Sequence, residues 1–195
     1  LEALYAGLEQ LDQVIVHRNS KNLGFVGSVN AGFALSEHDV VLLNSDVCVT
    51  PRWLRKLVIA AYTESDTATV TTLSNAATIF SLPKFTENNP IPEDYTINGL
   101  ARLVEDISTR EGSIVPTAVG CCMYIKKSAL DEVGVFDYET FGRGYGEEND
   151  FCMRVIAQGW TNILDDSTFI FHKNSVTFGP EKETLIKDHL AILHE

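Results

Sequence analysis

The chain has 195 residues, 45% of them hydrophobic and 22% charged, and carries a net charge of −12 at neutral pH. That size and composition fit one globular domain with a substantial core, not a disordered or fibrous chain. The acidic balance argues against adhesion to nucleic acid or to an anionic membrane through the net field, and no apolar run approaches the roughly 20 residues that span a bilayer.

Leucines at 1, 4, 8 and 11 predict an amphipathic helix over residues 1–11. Residues 13–17 (QVIVH) read as a short buried parallel strand. A polar, glycine-bearing loop over 19–27 leads to a helix over 28–36. Residues 39–43 (DVVLL) form a second strand that runs directly into Asn44-Ser45-Asp46. Thr50-Pro51 is a helix start, with Thr50 as N-cap and Pro51 in the first turn. A third strand covers 68–73. Strand, loop, helix repeated in this way implies βαβ units and a parallel sheet covered on both faces. Ligands of such sheets bind beyond the carboxyl ends of the strands, which is where the 19–27 loop and Asp46 fall.

Residues 74–95 are irregular and hold three prolines; a loop of that length in a compact domain is usually functional or disordered. A helix is expected over 97–108, an apolar strand over 115–125, and a short helix over 127–133 ended by Gly134. Two strands, 161–164 and 168–171, flank a turn at Asp165-Asp166, and His172 follows. An amphipathic helix over 180–194 closes the chain. Of the four cysteines, three sit in apolar segments and are expected as buried, reduced thiols. Their spacing fits no zinc site, and the expected compartment is the reducing cytoplasm.

The densest chemistry lies in residues 141–154, FGRGYGEENDFCMR. Three glycines predict a mobile loop, and Glu147, Glu148 and Asp150 then occupy the first turn of a helix, where negative charge is favoured. A carboxylate held there beneath a flexible loop suits a general base. The plainer reading is that acids simply stabilise a helix start, with Asp150 and Arg154 as an i, i+4 ion pair. Likewise Asp46 could merely open a turn, and His172 could be a structural histidine.

Five pieces in order resemble family 2 glycosyltransferases, the inverting enzymes of the GT-A fold: NLGFVGSVNAGFA, DVVLLNSDVCVTPRWL, GCCMYIKKSALDEVGVFD, YGEENDFCMRVIAQGW and FHKNSVTFG. The resemblance implies an α/β, Rossmann-like three-layer domain over residues 1–195 with a mostly parallel central sheet. It implies that Asp46 is the last acid of a metal motif whose first position is here Asn44, and that Mg²⁺ or Mn²⁺ is the cofactor. His172 matches a histidine that helps hold the metal or the diphosphate. Asn19, Asn22 and Gly24 match the loop near the nucleotide, and Asp150 and Arg154 match an Asp and an Arg of the catalytic helix. Glu147-Glu148 matches the acidic pair whose second member is the usual base; with Glu where Asp is commoner, the choice between them stays open.

The implied partners are a nucleotide-sugar donor and a glycan or lipid-linked acceptor. Peripheral membrane association and a homo-oligomer are compatible with that role. The family opens with a strand and a base-gripping loop, whereas this chain opens with what resembles the helix after them. A catalytic domain lacking its first strand is therefore expected. Two rivals stand beside this reading: a non-catalytic module that binds a nucleotide-sugar or glycan, and a nucleotidyltransferase on a similar sheet.

Overall fold

A computed structural model describes residues 2–142, 144–173, 188–189 and 191–193. The elements in chain order are α1 (Glu2–Leu8), α2 (Gly24–Phe33), β1 (Val40–Leu43), β2 (Val47–Cys48), α3 (Trp53–Thr63), β3 (Thr67–Ser74), a single 3₁₀ turn (Thr78–Phe80), α4 (Ile97–Ile107), β4 (Ser113–Val115), β5 (Cys122–Ile125), α5 (Lys127–Val133), α6 (Tyr138–Phe141), α7 (Glu147–Ala157) and β6 (Thr161–His172). The sheet runs β1-β5-β3-β6-β2, with β4 also on β6.

The α/β class expected from the sequence is the class observed, and the sheet is mixed. β1, β3 and β6 run one way, but β5 lies antiparallel between β1 and β3, so among the strands of the described residues only β3 and β6 pair in parallel. Both faces of the sheet are covered, as the apolar runs implied. β5 shows it directly. Met123 and Ile125 enter the core beneath α2, α5 and α7. Cys122 and Tyr124 enter the other core, beneath α3. Successive strand residues point to opposite faces, so a strand buried at every position needs a layer on each side.

The first of these cores holds α2, α7 and the segment before α6 together. Phe136 stacks edge-on against Phe33 of α2 at 5.4 Å and against Phe151 of α7 at 5.5 Å. Asn30 and the Phe136 backbone bond both ways, at 2.8 and 3.2 Å. The Ala118 N–H donates to Cys152 Sγ at 3.2 Å, tying α7 to the segment entering β5. Cys121, Cys122 and Cys152 are buried free thiols, as expected; Cys48 is exposed.

Several elements differ from expectation. Residues 13–17 are not a strand, and Ile15 is 77% exposed; β propensity acts only where a neighbouring strand completes the ladder. The second helix starts at Gly24 because Asn22 Oδ1 accepts the Gly24 N–H at 2.8 Å and closes the preceding turn. Thr50 is not an N-cap: its hydroxyl donates to the Phe169 carbonyl at 2.6 Å, and α3 begins at Trp53. The expected strand over 115–125 splits into β4 and β5 around Pro116, which lacks an N–H for the ladder. The two short strands expected after residue 160 are one long strand, β6. Its register opposite Thr72 and Leu73 jumps from Asp165 to Phe169, and Asp165 absorbs the bulge by accepting from the Ser167 N–H at 2.9 Å. The predicted closing helix over 180–194 lies mostly outside the described residues. Among the described residues, no helix is long and apolar enough to cross a membrane.

Candidate active site

β1 ends in Asn44-Ser45-Asp46, and β6 ends in His172. Val47 pairs with His172 across the ladder, and the Lys173 N–H donates to the Asp46 carbonyl at 3.0 Å. The two strand ends are thereby held side by side, with His172 Nε2 3.2 Å from Asp46 Oδ1. His172 Nδ1 lies 2.8 Å from the Ala76 carbonyl, which can only accept, so Nδ1 carries the proton. In the neutral ring, Nε2 then aims a lone pair at a carboxylate oxygen. Two electron-rich atoms so close call for a proton or a cation between them.

The placement of His172 depends on a residue the sequence reading passed over. Buried Asn75 accepts the His172 N–H at 2.8 Å and donates to the His172 carbonyl at 3.1 Å. It also donates to the Asn89 carbonyl at 3.2 Å. An Asn opening an irregular stretch reads as a turn residue. The signal that could have found it is its position just beyond the carboxyl end of β3.

The acidic pair comes from α7. Gly146 precedes the helix at φ 110°, and a Cβ there would fall 2.9 Å from Phe141 Cε1, so only glycine fits. Glu147 is 4% exposed and Glu148 is half-buried. The Oε2 of each is buried with no hydrogen-bond partner among the described residues. Burial, and then the charge of Glu148, push the Glu147 carboxyl up to about 9. Burial thus favours the protonated form of Glu147. Gly120 lies over that carboxylate: a Cβ there would stand 3.5 Å from Glu148 Oε1.

Both pairs open onto one cleft of about 1680 Å³, lined also by Asn22, Gly24 and Asn44. Asn19 does not line it. Its amide donates to Ser28 Oγ at 2.9 Å, and Ser28 Oγ donates to the Gly24 carbonyl at 2.7 Å, so Asn19 supports the loop from behind. Asp150 and Arg154 are also outside it. Arg154 Nε donates to Asp150 Oδ2 at 2.8 Å, and its Nη atoms donate to the Val133 and Val135 carbonyls at 2.9 and 3.0 Å. They fasten α7 to the end of α5, as in the plainer i, i+4 reading.

The cleft wall has a further property. Asp46, Glu87, Glu139, Glu147 and Glu148 line it, and no Lys or Arg does among the described residues. An anionic ligand would meet these carboxylates, whose charge a bound cation would offset. No three His, Cys, Asp or Glu side chains converge as a ready-made cage among the described residues. The donor set still fits Mg²⁺ or Mn²⁺, since such ions bind through one or two carboxylates and take their remaining ligands from phosphates and water.

Comparison with known proteins bears on the fold and the family. The structure superposes on a crystal structure of GalNAc-T7 with UDP, GalNAc and Mn²⁺, with a TM-score of 0.64 and 15% identity. The match covers 88% of this chain and 34% of that one, so the chain spans about a third of the length of that protein. At that identity the likeness shows a shared GT-A fold. No curated protein matches the chain. The family model for glycosyl transferase family 2 matches residues 2–134, which takes in Asp46 and Asn75 and ends before the acidic pair. With a match over more than half of its length, on the fold just described, the chain belongs to glycosyl transferase family 2.

Proposed function

We propose that the chain is a metal-dependent, inverting glycosyltransferase domain. It moves a sugar from a nucleoside-diphosphate donor to a hydroxyl of a glycan or lipid-linked acceptor, in the cytoplasm and in polysaccharide synthesis. The observation that carries this is one cleft shared by a cation-seeking Asp46–His172 pair and a Glu147–Glu148 pair whose buried oxygens lack partners. A structural domain has no use for the Glu147–Glu148 arrangement, because unpartnered buried carboxylate oxygens cost stability. GalNAc-T7 was crystallised with a nucleotide, a sugar and Mn²⁺, the ligand classes proposed here.

Asp46 and His172 would hold Mg²⁺ or Mn²⁺, which when bound neutralises the charge of a departing diphosphate. The Asn22–Gly24 turn and Asn44 bind the nucleotide side. Glu148 takes the proton from the acceptor hydroxyl as that oxygen forms a bond to the anomeric carbon. The bond from that carbon to the diphosphate oxygen breaks in the same displacement, so configuration inverts. Burial favours the protonated form of Glu147, which supports Glu148, the second member of the pair, as the base.

The test is calorimetric titration with UDP, GDP and dTDP, each with and without Mn²⁺. One nucleotide should bind only with the metal, and Asp46→Ala should abolish that binding. Metal-independent binding that survives Asp46→Ala would overturn the proposal.

A further inference from the structure

The loop between β3 and the start of α4 forms one wall of the cleft through Ala76, Ala77, Thr78, Thr86 and Glu87. It is bolted down. The Leu82 N–H donates to the Ser74 carbonyl at 2.8 Å, the Thr86 N–H to the Thr78 carbonyl at 2.8 Å, and the Asn89 N–H to the Asn75 carbonyl at 2.9 Å. Asn89 Nδ2 donates to the carbonyls of Asn75, Lys84 and Glu87 at 3.1, 2.9 and 3.1 Å.

Within this rigid frame, Thr78 and Thr86 have φ values of 47° and 61°. A β-branched residue in the left-handed region is strained. Glycine or asparagine would adopt the same backbone at lower cost. Both threonines are exposed, so neither repays the strain by filling the core. Both line the cleft. The threonine side chain thus stands where the fold gains nothing from it and where a ligand would meet it. Each places a hydroxyl beside a methyl group on the wall. Ala76 and Ala77 line the same wall. Hydroxyls set among apolar surface match a pyranose, which has hydroxyl edges and apolar C–H faces. The root of the loop is Asn75, which also fixes His172, so a sugar on this wall is registered against the Asp46 side of the cleft.

We infer that Thr78 and Thr86 form a sugar-recognition wall that takes the hydroxyls of a pyranose, carried by the donor or by the acceptor. This rests on the glycosyl-transfer reading of the cleft.

The experiment uses the full chain and the Thr78→Gly/Thr86→Gly double variant. Release of strain should raise its melting temperature by about 2–4 °C. Affinity for UDP with Mn²⁺ should stay within about twofold, while affinity for the sugar-bearing ligand falls about tenfold. UDP-glucose, UDP-galactose and their N-acetylated counterparts form one arm, in which a loss beyond that seen for UDP assigns the wall to the donor sugar. Methyl glycosides of the same sugars, titrated with and without UDP, form the other, and a loss confined to them assigns it to the acceptor. A lower melting temperature, sugar binding equal to wild type in both arms, or a wild-type chain that binds neither class overturns the inference. A wild-type chain that binds glycosides but not UDP excludes a uridine donor and leaves the wall to be judged by the glycosides.

Discussion

The two ends of β1 treat carboxylates in opposite ways. Asp39, just before β1, is fully satisfied: Oδ2 accepts from the hydroxyls of Tyr62, at 2.7 Å, and Tyr124, and Oδ1 accepts from the Lys127 N–H at 2.8 Å. Burial opposes its charge, but the Lys127 N–H, the two tyrosines and the Lys126 ammonium outweigh burial and hold its carboxyl below the usual range. At the far end, Glu147 and Glu148 have buried oxygens with no such partners, and the Glu147 carboxyl is raised. One end uses a carboxylate to lock α3, β1 and α5 together. The other leaves carboxylates electrostatically hungry at the mouth of a cleft, where a ligand can complete them.

The largest effect expected from this contrast is on turnover. Glu148→Gln should lower glycosyl transfer by about 10²–10⁴-fold, the range of general base catalysis, and leave metal-dependent nucleotide affinity unchanged. Steady-state transfer rates and calorimetry on the same preparation check both halves. Full activity in Glu148→Gln would remove the base and reduce the difference between the two ends to one of packing alone.

Next in size is the stabilising end. Asp39→Ala strands the hydroxyl of buried Tyr124 and leaves the Lys127 N–H without its acceptor, and should cost about 1–3 kcal/mol in chemical denaturation, with transfer per folded molecule unchanged. The two ends should also respond oppositely to pH. A lowered carboxyl binds fewer protons in the folded state than in the unfolded one. Its stabilisation is present above the unfolded value and is lost as pH falls through the folded value. The wild-type chain should therefore lose stability in acid, and Asp39→Asn should lose less. A raised carboxyl binds more protons when folded, so Glu147 erodes stability as pH rises from about 4.5 to about 9. Glu147→Gln should melt at the same temperature as wild type near pH 4 and at a higher one near pH 8. Melting curves across that window check it; parallel profiles would mean that Glu147 is ionised in the folded state.

Much of this was legible in the sequence because it is local. The acids of α7 follow a glycine run, and the end of β1 carries Asp46, so helix start and strand end declare themselves by composition. What was not legible depends on pairing at a distance. β5 was expected as a strand, but nothing local says that it inserts antiparallel between β1 and β3. Thr50 has the chemistry of an N-cap and instead bonds Phe169, 119 residues away. Asn75 holds His172 across 97 residues, and Asn in a loop has too many ordinary uses to announce that one. Residues 13–17 have the composition of a strand and no partner to make them one.

The smallest expected effect concerns the residues whose role is read differently in sequence and in space. Asp150 and Arg154 match the catalytic helix of the family, yet they pair with each other and lie outside the cleft. Arg154 spends its remaining donors on the Val133 and Val135 carbonyls. The pair should therefore behave like Asp39 and not like Glu148, only more weakly, because both side chains are part-exposed and solvent screens them. Asp150→Asn keeps an oxygen for Arg154 and removes the charge, so it should cost no more than about 1 kcal/mol. That corresponds to a fall in melting temperature of about 2–4 °C at most. Nucleotide affinity and transfer rate should stay within about twofold of wild type, since 1 kcal/mol lost from the fold does not reach the chemical step while the chain remains folded. A tenfold loss of transfer at an unchanged melting temperature would show that Asp150 acts on the ligand. The boundary between the stabilising acids and the reactive ones would then run through α7 one turn further from its start.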